Sequence, residues 1–237
     1  MNRKNLLYIF LFAVFNGSCL FASQLSSKND PDKPTQQDPI KENQILYKGK
    51  VWRNLYANIK GDQFLFSSDY LPGSLSMNGK LFTNLNLNYD IYNDEIITPA
   101  KQGTTLQLNK EMVDSFTVLF ANKNYTFLNL NDDSLAGLKG YVNVLYKGKS
   151  ALYIKYKKEI QLLAVDDKYD LFYRTYKVYM VKDGIVHQII GKSDFLKAFN
   201  LDKTRMRDFV KKSKLKITKK EPESFIPVIR YYDSLSQ

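Results

Sequence analysis

Over residues 45–190 strand signals separated by turn residues follow one another, several with apolar and polar side chains alternating at a period of two, and that pattern commits most of the chain to strands. Leu85, Leu87, Tyr89 and Ile91 interleave with Asn84, Asn86, Asn88 and Asp90, which predicts one apolar and one polar face. Phe116, Val118 and Phe120 alternate likewise, and Asn122-Lys123-Asn124 then turns the chain into Tyr125-Thr126-Phe127-Leu128. Strands are also predicted over 141–146 and 151–157, around Lys147-Gly148-Lys149, and over 173–181 and 185–190, around Lys182-Asp183-Gly184. Asn78-Gly79 and Asp183-Gly184 are dipeptides that accept the positive φ of tight hairpin turns. Short strands joined in this way predict an antiparallel β-sandwich or small barrel, not a βαβ fold.

After Gly191 the period lengthens to that of a helix. Ser193 is placed to cap a short helix over 194–199, and a second is predicted over 202–212, with Met206, Phe209 and Val210 on one stripe. Ser224 is placed to cap a third, where Phe225, Val228 or Ile229, Tyr232 and Leu235 recur at helical spacing. Pro227 falls in its first turn, where a missing N–H does little harm. The expected class is therefore α+β, mainly β: an antiparallel β domain over 45–190 with a helical segment over 191–237 packed on it.

The N-terminal residues carry a different signal. Asn2-Arg3-Lys4-Asn5 is a basic head, residues 6–15 are uninterruptedly apolar, and Gly17-Ser18-Cys19 and Ala22-Ser23 are small. That is the three-part pattern of a secretory signal peptide over 1–23. Its apolar run rises only about 15 Å as a helix, half of a bilayer core, which argues against a retained span. Cys19 is the only cysteine, and a lipid-modified N-terminus there would normally follow an aliphatic residue three places earlier, where this chain has Asn16. Cleavage near Ala22 or Ser23 is the reading taken, over lipoprotein anchoring through Cys19. Residues 24–44 hold Pro31, Pro34 and Pro39 among polar residues and read as a flexible tether. Without Arg3 and Lys4, the 35 basic and 24 acidic residues of the chain leave a net charge of +9, which favours anionic partners.

From Tyr173 onward come a tyrosine-rich hairpin, Lys192-Ser193-Asp194-Phe195-Leu196, a basic helix, Lys212-Ser213-Lys214-Leu215-Lys216, and the closing Tyr231-Tyr232-Asp233-Ser234-Leu235. Upstream stands Tyr89-Asp90-Ile91-Tyr92. These phrases, over about half of the chain, make it resemble uncharacterised secreted proteins of Bacteroidetes-type bacteria. The resemblance implies no activity and transfers no site residue.

Residues for catalysis are scarce. His187 is the sole histidine, in a predicted strand, and no Gly-x-Ser-x-Gly elbow accompanies it. Asp94-Glu95, Asp132-Asp133 and Asp166-Asp167 are the carboxylate pairs a glycoside hydrolase could use, but each sits at a predicted turn, where acids satisfy backbone. Asn129, Asn131 and Asp133 have the alternate spacing of a calcium loop, with Ser134 where glycine is needed and Gly140 in place of the bidentate glutamate. No catalytic residue, metal or cofactor is assigned.

The strongest charge feature runs over 203–220, with nine basic residues against Asp208. On a helical wheel Lys203, Arg207, Lys211 and Lys214 share a face beside the Met206/Phe209/Val210 stripe. Such a helix suits an anionic surface, its stems snorkelling around an apolar edge; otherwise the stripe packs on the β body and the charges face water. The expected function is that of an exported, non-enzymatic binding or interaction protein of the cell envelope, periplasmic or extracellular. Its partners would be an anionic envelope surface, a polysaccharide or another envelope protein, with no nucleic acid and no transmembrane span in the mature form. The alternatives are a small β-barrel carrier of an apolar ligand and, further off, a carboxylate-dependent hydrolase. A closed, hollow barrel would favour the carrier.

Overall fold

Strand formation follows the alternating segments closely. In the computed structural model, eleven antiparallel strands form one sheet among the described residues, which are 46, 48–100, 103–130, 135 and 137–235. All of these belong to one compact unit, 38–237, and the expected leader and tether (1–23 and 24–44) lie outside the described residues. The strands are β1 (Gly49–Val51), β2 (Leu71–Met77), β3 (Lys80–Asp90), β4 (Glu95–Pro99), β5 (Thr105–Leu108) and β6 (Val113–Phe120). They continue with β7 (Lys123–Leu130), β8 (Gly140–Lys147), β9 (Ala151–Val165), β10 (Tyr169–Lys182) and β11 (Ile185–Ile189). Their order across the sheet is β1-β5-β4-β3-β2-β6-β7-β8-β9-β10-β11. The sheet is open, ending at β1 and β11, so the expected fold holds at the level of antiparallel β with helices at the C-terminus.

This sheet curls strongly. Lys158 N on β9 donates to Ile91 O just past β3 at 3.2 Å, although four strands in sheet order separate β3 from β9. Inside the curl four rings fill the space: Phe116 stacks on Phe127 at 4.6 Å between centroids, and Tyr89 meets both edge-on at 5.2 Å. Tyr141 closes against Phe116 at 5.2 Å. Each ring is at most 2 % exposed, and burying one contributes roughly 1.5–3 kcal/mol.

A second core lies between β9–β11 and three helices, α1 (Lys192–Lys197), α2 (Lys203–Lys212) and α3 (Ile226–Leu235). Leu152, Ile154, Val178 and Met180 from the strands meet Phe195, Phe199, Met206, Val210, Phe225 and Val228 from the helical segment. Asp233 of α3 adds a polar tie, accepting from Ser150 N at 3.0 Å and from the Tyr146 hydroxyl at 3.0 Å, and so holds the β8–β9 turn.

Three local expectations need correction. Asn88 and Asp90, placed on a solvent face by the alternation, are buried, because the segment before β2 folds over the end of β3. The Asn88 amide nitrogen lies 3.0–3.1 Å from the carbonyls of Ser67, Ser68 and Asp69, which satisfies it there. β9 and β10 run beyond the predicted 151–157 and 173–181, to a turn at Asp166-Asp167 with φ of 53° and 51°. Ser193 caps nothing, since Gly191 is the N-cap of α1, and the Ser224 hydroxyl bridges Thr218 N and O at 2.9 and 3.2 Å.

The Asp183-Gly184 turn is as predicted, with φ of 52° and 74° between β10 and β11. Gly184→Val should cost about 1–3 kcal/mol, since a β-branched residue resists positive φ. A denaturation midpoint equal to that of the parent would contradict this assignment.

Candidate anion-binding sites

Helix α2 presents the basic run. Met206 and Val210 are buried in the second core, and Phe209 stacks on Tyr231 at 4.0 Å. The apolar stripe is therefore committed to the body, and α2 has no free apolar edge to lower into a bilayer. Lys203 is half-buried, while Arg207 and Lys211 are exposed, one turn apart. Lys214 is exposed too, but it stands past the end of α2 with φ of 51°, so the helical wheel that grouped all four overreached by one residue. Seven basic residues, at 203, 205, 207, 211, 212, 214 and 216, stand against the single acid Asp208 within this stretch, and none of the seven makes an ion pair among the described residues. Lys211 and Lys212 occupy the last turn, where cations also complement the helix dipole.

The most concentrated electrostatics lie elsewhere, around Asp94 in the β3–β4 turn. Its Oδ2 receives Lys110 Nζ at 2.5 Å and Lys155 Nζ at 2.8 Å, and its Oδ1 accepts from the Tyr89 hydroxyl at 2.5 Å. Lys155 also donates to Tyr141 O at 3.0 Å, and Lys110 Nζ sits 5.2 Å from the centre of the Tyr141 ring. Burial pushes the Asp94 carboxyl up, but Lys155 and Lys110 outweigh it and hold the group below the usual carboxylate range. Burial lowers Lys155, an effect that Asp94 only partly offsets. Tyr89 is raised well above the phenol range, first by burial and then by the Asp94 charge. Gly140 is required beside this hub: it has φ of 75°, and a Cβ there would collide with Asp94 Oδ2. With both oxygens engaged by three donors, Asp94 is poorly placed as a general base, so the hub reads as a structural tie among β3 with the turn after it, β8 and β9.

The remaining sequence candidates are dispersed. His187 is a half-buried residue on edge strand β11, paired with Met180. Asp166 and Asp167 form a hairpin turn. Asn129 donates to Lys110 O and Val113 O, both at 2.8 Å, and is thereby used as a structural tie; residues 131–134 lie outside the described residues. Among the described residues no group of three or more His, Cys, Asp or Glu side chains could hold a metal.

Sequence reasoning missed a hollow of about 240 Å³, bounded by β7, β9, β10 and the turn at Pro222. Four rings line it, Phe66, Tyr125, Tyr156 and Tyr176, with Ile154 and Pro222 at its base. Lys123, Arg174 and Lys220 stand at its walls with one acid, Glu223. Lys123 Nζ lies 2.7 Å from Glu223 Oε1 and 5.1 Å from the Tyr125 ring centre. Burial raises Glu223, yet its bond to Lys123 prevails and leaves the group lowered. Burial pushes the Tyr156 hydroxyl up to about 12. A faint signal was present in the sequence: Lys123 and Tyr125, Ile154 and Tyr156, and Arg174 and Tyr176 are each two apart, hence on one strand face. A second hollow, of about 560 Å³, lies at the sheet edge by β1 and is walled by Lys48, Lys50, Lys110 and Glu111 without a ring.

No helix among the described residues is long and apolar enough to cross a membrane. No family model matches this chain, and neither a curated protein nor a solved structure does.

Proposed function

We propose that this chain is an exported, non-enzymatic binding protein of the cell envelope that docks on an anionic surface through the basic face of α2 and the turn after it. The observation that carries the reading is the run of seven cations from Lys203 to Lys216, none of which makes an ion pair among the described residues. Export rests on the leader pattern of residues 1–23, and kinship with secreted Bacteroidetes-type proteins on the C-terminal phrases quoted above. Docking would be electrostatic, because the apolar stripe of α2 is occupied by the body. A barrel carrier finds less support, since four rings fill the curled interior, and a hydrolase finds less because Asp94 is held by three donors.

Changing Lys203, Arg207, Lys211 and Lys214 together to Gln removes four charges while keeping helix propensity. Each cation near an anionic membrane contributes about 1 kcal/mol, so the variant should bind anionic vesicles at least tenfold more weakly. Parent binding should also weaken as salt rises past about 0.15 M, where the Debye length is roughly 8 Å. A parent that does not sediment with such vesicles, or a variant that sediments equally, defeats the reading.

A further inference from the structure

We propose that the hollow between Tyr125, Tyr156, Tyr176 and Arg174 binds one acidic sugar ring of an anionic polysaccharide, a uronate recognised through its carboxylate and its C–H faces. The proposal deepens the docking reading by naming a polymer. It rests on residues separate from α2, so the two can fail independently.

The chemistry of the walls selects this ligand class. Phe66, Tyr125, Tyr156 and Tyr176 are all half-buried, so each ring is fixed yet keeps part of its surface open. Phe66 is braced by stacking on Phe120 at 4.6 Å, and the Tyr176 hydroxyl is anchored on Lys219 O at 3.0 Å. Fixed rings of this kind offer apolar faces beside polar tips. Arg174 is pre-aimed as well: its Nη1 donates to Leu65 O at 3.0 Å, which leaves Nε and Nη2 without a partner among the described residues. A guanidinium with free donors in a rigid fork matches a carboxylate in a way that a lysine cannot. Lys220 has no ion-pair partner among the described residues, and neither does the Tyr156 hydroxyl have a hydrogen-bond partner there.

Size and charge narrow the choice. About 240 Å³ is room for roughly eight waters at ~30 Å³ each, the scale of a single ring with its substituents. An apolar ligand would strip water from Arg174 and Lys220 without pairing them. Inorganic phosphate would leave four rings unused, and a neutral sugar would leave Arg174 and Lys220 unmatched. Glu223 is the one wall group that opposes an anion, and its bond to Lys123 spans the rim. An incoming carboxylate competes with Glu223 for Lys123, so the native site is held back by its own acid.

Calorimetric titration with trigalacturonate, trigalactose, benzoate and phosphate tests this. Trigalacturonate should bind, and each of the other three at least tenfold more weakly. Arg174→Lys keeps the charge but loses the fork and should weaken trigalacturonate binding about tenfold. Because Arg174 also ties Leu65, Lys220→Gln at an exposed site gives a second reading and should weaken binding severalfold. Glu223→Gln should tighten it, an effect opposite in sign to that of a damaged fold. The four-Gln variant of the α2 face should bind trigalacturonate as the parent does. No binding at millimolar trigalacturonate, equal binding of trigalactose, benzoate or phosphate, or weaker binding by Glu223→Gln would each overturn the proposal.

Discussion

Asp94→Ala should lower stability at neutral pH by about 2–4 kcal/mol and the melting temperature by roughly 5–15 °C for a domain of this size. The reason is what the substitution leaves behind. Lys110 and Lys155 converge on one oxygen of Asp94, and without the carboxylate they face each other, while Tyr89 loses the acceptor for a buried hydroxyl. The Asp94, Lys155 and Lys110 side chains keep 23 %, 22 % and 34 % of their exposure, which places the cost below that of breaking a fully buried ion pair. Combining Asp94→Ala with Lys155→Met should recover part of the loss, because neutralising one ammonium removes the repulsion; the two changes should couple by at least about 0.5 kcal/mol. The pH dependence has a definite sign. Asp94 has a folded pKa below its unfolded value of about 3.9, so its contribution is complete above that value and disappears as pH falls through the folded pKa. The acid limb of the stability curve should therefore be shallower in the Ala variant than in the parent. Equal melting temperatures at pH 7 would show the hub to be solvated and dispensable.

Phe127→Ala should be at least as damaging, at about 3–5 kcal/mol, with a fall of roughly 6–20 °C. Phe127 has no exposed surface, lies against Phe116 with centroids 4.6 Å apart, and meets Tyr89 at 5.2 Å and Tyr156 at 6.4 Å. Its removal opens a cavity that flat neighbouring rings cannot collapse into. Phe127→Leu keeps most of the volume and should cost less than half as much. Because Tyr156 packs against Phe127 and also lines the basic aromatic hollow, the Ala variant should lose affinity for an acidic sugar in addition to stability. A cost under about 1 kcal/mol would mean that the interior of the curl is loosely packed.

Local chemistry was sufficient to place the hairpins and helices. Leu85, Leu87 and Tyr89 alternate, Asn78-Gly79 and Asp183-Gly184 favour positive φ, and Met206 and Val210 lie a turn apart, all within a few residues of one another. Those patterns determined the antiparallel strands and the span of α2, because period and turn preference act over short stretches of backbone. They could not show that Asn88 and Asp90 would be covered, since the covering segment arrives from a part of the chain with no periodicity of its own. Nor could they show the hub or the hollow. Lys155 reaches Asp94 only because the sheet curls β9 back onto the end of β3. Arg174 meets Leu65 across 109 residues, and Lys123 meets Glu223 across 100. The sequence by itself thus determined the antiparallel β character of the body, the position of several hairpins, and that the helical segment follows Gly191 with a basic α2; β1, β2, β5 and the full length of β9 and β10 came only from the structure. Only the tertiary structure decided which face of each stayed open, because the curl of the sheet and the docking of α2 and α3 bury or expose a side chain according to partners far away in the chain.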